Sequence, residues 1–268
     1  MEELVSVIIP TYNRGYIIER AIASVQNQTY SEIEILIVDD GSTDNTQDLI
    51  SKISDNRIRY IKNPKNCGVS HTRNLGIAAS KGKYIAFQDS DDIWKPEKLQ
   101  KQMERITKED YGMVYCSFER EFQDGTVVYY PPKEIPIQEK QGDIFQSLLR
   151  KNLISTQTML IKKEVLNQVG YFNEGMSNLE DYELALRIAK HFKIGIVEEP
   201  LVYLHTLPDS INQNQLQSLV NITYIYLCNK EALKMYGMYE GMIGGIREKA
   251  KEFGIEEIIE NMLKQNYS

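Results

Sequence analysis

Cysteine is scarce in this chain. Its three copies, Cys67, Cys116 and Cys228, stand far apart, and no Cys-x-x-Cys pair exists. A thiolate zinc site is therefore not expected. A sparse, odd set also fits a reducing compartment better than a disulfide scaffold. A basic surplus is missing too. Lys and Arg number 31 against 38 Asp and Glu, a formal net charge of -7. Nucleic-acid binders carry a basic footprint, so no nucleic-acid partner is expected. No apolar run approaches the roughly 20 residues that span a bilayer. The Met1-Glu2-Glu3 start lacks the basic and long apolar regions of a signal peptide. The expectation is a soluble, cytoplasmic protein, with peripheral contact at the inner face of a membrane left open. Finally, no glycine-rich turn follows the first apolar run, as a dinucleotide-dependent oxidoreductase would require. Nor is there the Gly-rich, Lys-containing loop with which sugar-1-phosphate nucleotidyltransferases usually open.

What is present is an ordinary globular composition, 268 residues with 42% hydrophobic and 26% charged. That length can bury a sizeable core without staples. Five short, mostly apolar runs stand out, Val5–Ile9, Ile33–Val38, Ile58–Ile61, Tyr84–Phe87 and Met113–Cys116, the first ended by Pro10 and the second by Asp39 and Asp40. They predict buried strands. Helical patterns lie between them, over Ile17–Gln28, Asp44–Ile53, Val69–Ala79 and Glu97–Ile106. Asp44 is a candidate cap of the second, and Pro96 stands near the start of the last. Strand-helix-strand alternation predicts a mostly parallel, Rossmann-like sheet flanked by helices.

The second half differs. Residues 121–142 are polar and contain three prolines, as in a loop or hairpin. A strand over Gln157–Ile161, helices over Lys163–Val169 and Asp181–Lys190, and short extended pieces over Ile194–Val197 and Leu201–His205 are expected. From Asn212 the pattern is helical to the end. Ile255, Ile258, Ile259, Met262 and Leu263 form an apolar stripe at helical spacing. It covers the protein's own core in the simpler reading, and makes a homodimer contact or an acceptor-side wall in the other.

Parallel α/β sheets bind ligands at the carboxyl ends of their strands. The segments at those ends are Pro10-Thr11-Tyr12-Asn13-Arg14, Asp39-Asp40-Gly41-Ser42 and Asp89-Ser90-Asp91-Asp92. Five carboxylates thus gather on one edge, where like charges need a cation or donors to offset them. Asp89 and Asp91 form an Asp-x-Asp whose hard oxygens suit Mg²⁺ or Mn²⁺. Alone such a pair is weak, since it also occurs in turns and caps. Asp92 is a candidate cap for the helix near Pro96.

As a set, these stretches resemble family-2 inverting glycosyltransferases of the GT-A fold. The motifs are Val-Ile-Ile-Pro-Thr-Tyr-Asn-Arg at 7–14, Val-Asp-Asp-Gly-Ser-Thr-Asp at 38–44, Gly-Val-Ser-His-Thr-Arg-Asn at 68–74, Asp-Ser-Asp-Asp at 89–92 and Glu180-Asp181 at a helix start. They run from residue 4 to about 205 in the family's order. The resemblance implies a GT-A domain over residues 1–210 and a helical extension over 211–268. It implies a UDP-sugar donor, a saccharide or glycolipid acceptor and a Mn²⁺ or Mg²⁺ ion. Residues 10–14 and Ser90 would line the donor pocket, with Tyr12 beside the base. Asp40 would accept from the base, Asp39 would line the same pocket, and which of the two reads the base stays open. Arg73 would meet the diphosphate. Asp91 would be the principal metal ligand, Asp89 would hold ribose or metal, and His205 would reach metal or diphosphate. Asp181 would be the general base, with Glu180 and Glu183 as competitors. The Gln-x-x-Arg-Trp motif of processive members is absent, so single addition in surface polysaccharide synthesis is expected. A catalytically silent sugar-nucleotide binder is the alternative.

Overall fold

The computed structural model describes residues 2–122, 124–205 and 214–265. Strands β1 (Val5–Thr11), β2 (Ile33–Asp39), β3 (Ile58–Lys62) and β4 (Tyr84–Phe87) pair in parallel in the order β3-β2-β1-β4. Helices α1 (Ile18–Gln26), α2 (Thr46–Ile50) and α3 (Val69–Ala79) connect them. In β1, Ile8 packs into one hydrophobic cluster, while Val7 and Ile9 pack into a second on the opposite face. Both faces are covered, which is why the strand is a continuous apolar run rather than an alternating one.

Beyond β4 the sheet becomes mixed. After β5 (Ile93–Trp94) and α4 (Lys98–Lys108), β6 (Met113–Glu121) and β7 (Val127–Tyr130) form an antiparallel hairpin. Helix α5 is Phe145–Arg150, and β8 (Leu160–Lys162) inserts antiparallel between β4 and β6. Helices α6 (Lys163–Val169) and α7 (Glu180–Ala189) lead to β9 (Ile194–His205), which runs parallel to β6 and antiparallel to β5. Helices α8 (Gln215–Cys228), α9 (Lys230–Met235), α10 (Tyr239–Phe253) and α11 (Glu256–Leu263) follow.

Several expectations need correction. Ile194–Val197 and Leu201–His205 belong to one strand, carried past Pro200 by register shifts against Cys116–Phe118. The expected strand over Gln157–Ile161 starts as a 3-10 turn at Thr156–Thr158. Asp92 does not cap α4. Instead Leu99 N, in its first turn, donates to Gln28 Oε1 at 3.0 Å. In the C-terminal stripe, Ile259 is fully buried with Leu219, Ile243, Ile246 and Ala250, and Ile255, Met262 and Leu263 pack against them. Ile258 alone of the stripe is well exposed. No helix among the described residues is long and apolar enough to cross a membrane.

Candidate active site

A cleft of about 1060 Å³ opens at the carboxyl ends of β1, β2 and β4 and continues over β6, β9 and the start of α7. Its first wall is two interlocked loops. Asn13, at a φ of 53°, donates its N–H to Ser42 Oγ at 2.8 Å and accepts from Thr43 N at 2.8 Å through Oδ1. Arg14 N donates to Thr46 Oγ1 and Gly15 N to Asp44 Oδ2. Asp44 Oδ1 also accepts from Thr46 N at 3.0 Å, but the expected cap is corrected: Asn45, not Asp44, holds the N-cap position of α2, and Asp44 closes the turn before it. This lattice fixes the turn and leaves the Tyr12 ring 43% exposed in the cleft, with Pro10, Thr11 and Arg14 beside it. Gly41 makes the close approach possible. Its φ is +81°, and a Cβ there would lie 2.8 Å from the Lys65 carbonyl carbon.

The two adjacent aspartates separate cleanly. Asp39 ends β2 facing away from the cleft, fully buried, accepting from Ser42 N at 2.7 Å and from the Tyr60 hydroxyl. The expectation that it lines the pocket is therefore corrected: successive strand residues face opposite ways, and Asp39 is committed to the loop. Asp40 does line the cleft. Its carboxylate accepts from Asn63 Nδ2, Cys67 N and Gly68 N at 2.8–2.9 Å, gathering the loop that starts α3. Three of roughly four lone-pair positions are thus used.

Arg73 on α3 sits where the two halves meet. It is only 4% exposed and donates Nη1 to Glu180 Oε1 at 2.6 Å and Nη2 to Asp89 Oδ1 at 2.8 Å. Phe172 lies under the guanidinium, 5.4 Å from its ring centre. Arg73 is thus a buried bridge between two carboxylates rather than an open phosphate clamp. The separation of Arg73 from Glu180 in sequence hid this from a local reading.

Asp181 follows directly. Leu179, just before α7, holds a left-handed φ of 59°, a conformation that costs about 1–3 kcal/mol and persists only when surroundings enforce it. Asn178 supplies the enforcement. Asn221 of α8 donates Nδ2 to its Oδ1 at 2.6 Å and to its carbonyl at 2.9 Å, and Asn178 Nδ2 donates to Ser218 Oγ. Asp181 Oδ2 accepts from Thr156 N and Oγ1 at 3.2 and 3.3 Å, and Oδ1 from Tyr182 N at 2.7 Å. Burial, then the Glu180 charge, push its carboxyl up to about 7, against the pull of Arg73 and these donors. The competitors are engaged elsewhere: Glu180 by Arg73, Glu183 by Arg187 at 2.6 Å.

The expected metal can be tested against these residues. No three His, Cys, Asp or Glu side chains among the described residues converge as a ligand set. Asp89, Ser90, Asp91 and His205 nevertheless share the cleft. His205 Nδ1 meets Glu121 Oε2 at 3.2 Å, while its buried Nε2 has no partner among the described residues. Burial, the leading cause, lowers the His205 pKa and favours the neutral, ligating ring. Ions that arrive with a diphosphate need only one or two carboxylates plus phosphate oxygens, so the donor set fits. Residues 206–213, which follow His205, lie outside those described.

Sequence reasoning missed the turn Asn152–Gln157, Arg120 on β6, and the Asn178–Ser218–Asn221 set, all at or beside the cleft. None carries a motif. Only the polarity of Ser155-Thr156-Gln157 beside apolar neighbours offered a signal.

The model of the family described as "Glycosyl transferase family 2" matches residues 6–170. The Escherichia coli enzyme WfaP, a UDP-Glc:alpha-D-GlcNAc-diphosphoundecaprenol beta-1,3-glucosyltransferase, is 33% identical over 221 residues, 81% of this chain and 83% of its own. Among solved structures, S. aureus TarS 1-349 in complex with UDP-GlcNAc superposes with a TM-score of 0.69 at 20% identity, covering 84% of this chain. The mannosyltransferase PcManGT from Pyrobaculum calidifontis, in complex with GDP-Man and Mn²⁺, gives 0.66 at 18% identity, covering 87%. This chain spans just under two thirds of each solved chain, 64% and 65%. The curled mixed sheet is the one these glycosyltransferases share. With its motifs on that sheet's carboxyl edge and the family model spanning more than half its length, the chain is a glycosyltransferase of family 2.

Proposed function

We propose that this protein is a single-addition, inverting glycosyltransferase that moves a sugar from a UDP-sugar to a hydroxyl of a lipid-linked saccharide. Residues 1–210 form the transferase domain and 211–268 its helical extension. The carrying observation is Asp181, a carboxyl raised toward neutrality and fixed by Thr156 on the cleft floor. Inversion needs the acceptor hydroxyl to attack opposite the leaving diphosphate and to lose its proton as it does so. Asp181 takes that proton. Tyr12 offers its exposed face to the base, and Asp40 its remaining lone pair to a base N–H. Pro10, Thr11, Asn13, Arg14 and Ser90 close the donor pocket around them. Asp91, Asp89 and His205 would hold a Mn²⁺ or Mg²⁺ ion, which when bound neutralises charge on the leaving diphosphate. Arg73 keeps Asp89 and Glu180 apart at a fixed spacing.

The named acceptor of WfaP motivates the lipid-diphosphate class, and an acceptor of that kind puts the work at a membrane surface. The test is direct. UDP-glucose, UDP-galactose and UDP-N-acetylglucosamine are each incubated with Mn²⁺ and a short-tailed lipid carrying GlcNAc-diphosphate, and the product's anomeric configuration is read by NMR. Transfer with inversion is expected. Retention, or binding of a UDP-sugar with neither transfer nor UDP release across such a panel, overturns the reading; the second outcome would favour a silent binder.

A further inference from the structure

One buried carboxylate at the cleft has not been given a task by this mechanism. Asp92 is only 4% exposed, yet it is bonded to three separate segments. Its Oδ1 accepts from His205 N at the end of β9 at 3.1 Å. Its Oδ2 accepts from Gln157 Nε2 in the turn before β8 at 2.8 Å. Its own carbonyl accepts from Gln88 Nε2 at 2.6 Å. Both side-chain oxygens accept at once, which the single oxygen of an amide could not do.

Gln157 is as firmly set. Its Oε1 accepts from Ser155 Oγ at 3.0 Å, and its carbonyl accepts from Trp94 Nε1 at 3.1 Å. Its neighbour Thr156 supplies both donors to Asp181 Oδ2. A continuous path therefore runs from the Asp89–Asp92 loop through Gln157 and Thr156 to Asp181. The Arg73 bridge spans the same two sides by another route, through Glu180. Two independent struts between two points fix a distance better than one.

We propose that Asp92 and Gln157 are positioning residues that hold Asp181 at a set distance from the donor-side carboxylates. The inference rests on Asp181 being the base. Misplacing a reacting group by about 1 Å can cost a hundredfold in rate, so geometry of this kind appears in kcat rather than in donor affinity.

The test is a polarity swap in the full chain. Asp92→Asn leaves one acceptor where two are needed and turns an amide toward the Gln157 amide. Gln157→Met removes the bond from the other side at similar volume, which covers the case of an unstable Asp92 variant. Asp92→Asn with Gln157→Glu restores a donor facing an acceptor, now reversed, at unchanged net charge. With UDP-glucose and the GlcNAc-diphosphate lipid, each single variant is expected to lose about ten- to a hundredfold in kcat. UDP affinity by calorimetry should stay within about twofold, and the swap should recover most of kcat. Amide exchange over residues 152–158 and 178–183, which needs no substrate, should rise in both single variants and return in the swap. Single variants with kcat and exchange both near wild type overturn the proposal, as does a folded swap that recovers neither. Asp181→Asn is run alongside. If it transfers at a native rate the base assignment falls, while the exchange data still decide whether the pair positions the turn.

Discussion

Asp181 lives between opposing influences. Burial and the neighbouring Glu180 charge favour its neutral form, while Arg73 and backbone donors favour the anion. Because the raising influences win, the base is in its working form only above about pH 7. Below that the protonated carboxyl cannot accept, and kcat should fall about tenfold per pH unit. Glu180→Gln removes one raising charge and leaves Arg73 less neutralised, so both effects move the acid limb to lower pH. A kcat profile whose limb stays in place would contradict this account. Asp181→Asn keeps size and polarity but cannot take a proton. It should lower kcat by roughly a hundredfold or more, with UDP affinity by calorimetry unchanged. Near-native transfer by this variant, or its abolition by Glu180→Gln alone, would move the base elsewhere.

At the scale of elements, the donor wall depends on how closely α3 lies on β1. A Cβ at Gly76 would fall 2.5 Å from Ile8 Cγ2, deep in the core. Gly76→Val should therefore destabilise by about 1–3 kcal/mol through overpacking. It should also weaken UDP binding, since α3 carries Arg73 and follows directly on Gly68 at the cleft. Thermal unfolding with and without UDP checks both parts, and an unshifted midpoint would show that the helix yields easily. The same elements show what a sequence can disclose. Val69–Ala79 and Lys163–Val169 were legible to the residue because local periodicity decides them. The 3-10 turn at Thr156, the antiparallel insertion of β8 and the bulged course of β9 were not, because pairing with distant strands decides them. The site divides the same way. Tyr12, Asp40, Asp89, Asp91 and Asp181 stand in motifs and could be named in advance. The partners of Arg73 and the burial of Asp39 depend on register and on contacts 107 and 21 residues away.

At the scale of the whole molecule, ligand and proton linkage offer two further checks. If Asp91 and Asp89 hold a cation with the diphosphate, UDP should bind more tightly with Mn²⁺ present, and Asp91→Ala should remove that gain. Calorimetry showing metal-independent UDP affinity in the wild type would refute it. Lys98 is buried with no carboxylate paired to it among the described residues, 3.8 Å from the Trp94 ring centre and bonded to Gln102 Oε1. Burial pushes its pKa down to about 8. The unfolded chain then holds more protons than the folded one between about pH 8 and the ordinary lysine value, so folding stability from this group rises with pH in that window. From pH 7.5 to 9 the wild type should gain on Lys98→Met by about 1 kcal/mol per unit as the window is entered; parallel unfolding curves for the two would refute the assignment. The topology of the sheet also has a consequence in time. The strands β1 to β4 are complete by residue 87, but the far side of β4 is covered only by β8, which begins at residue 160. During synthesis at about 5–20 residues per second, that strand edge stands bare for several seconds on the ribosome. An unpaired edge is a template for other chains, so the nascent half-sheet is the stage at which this protein is most exposed to aggregation and to capture by chaperones.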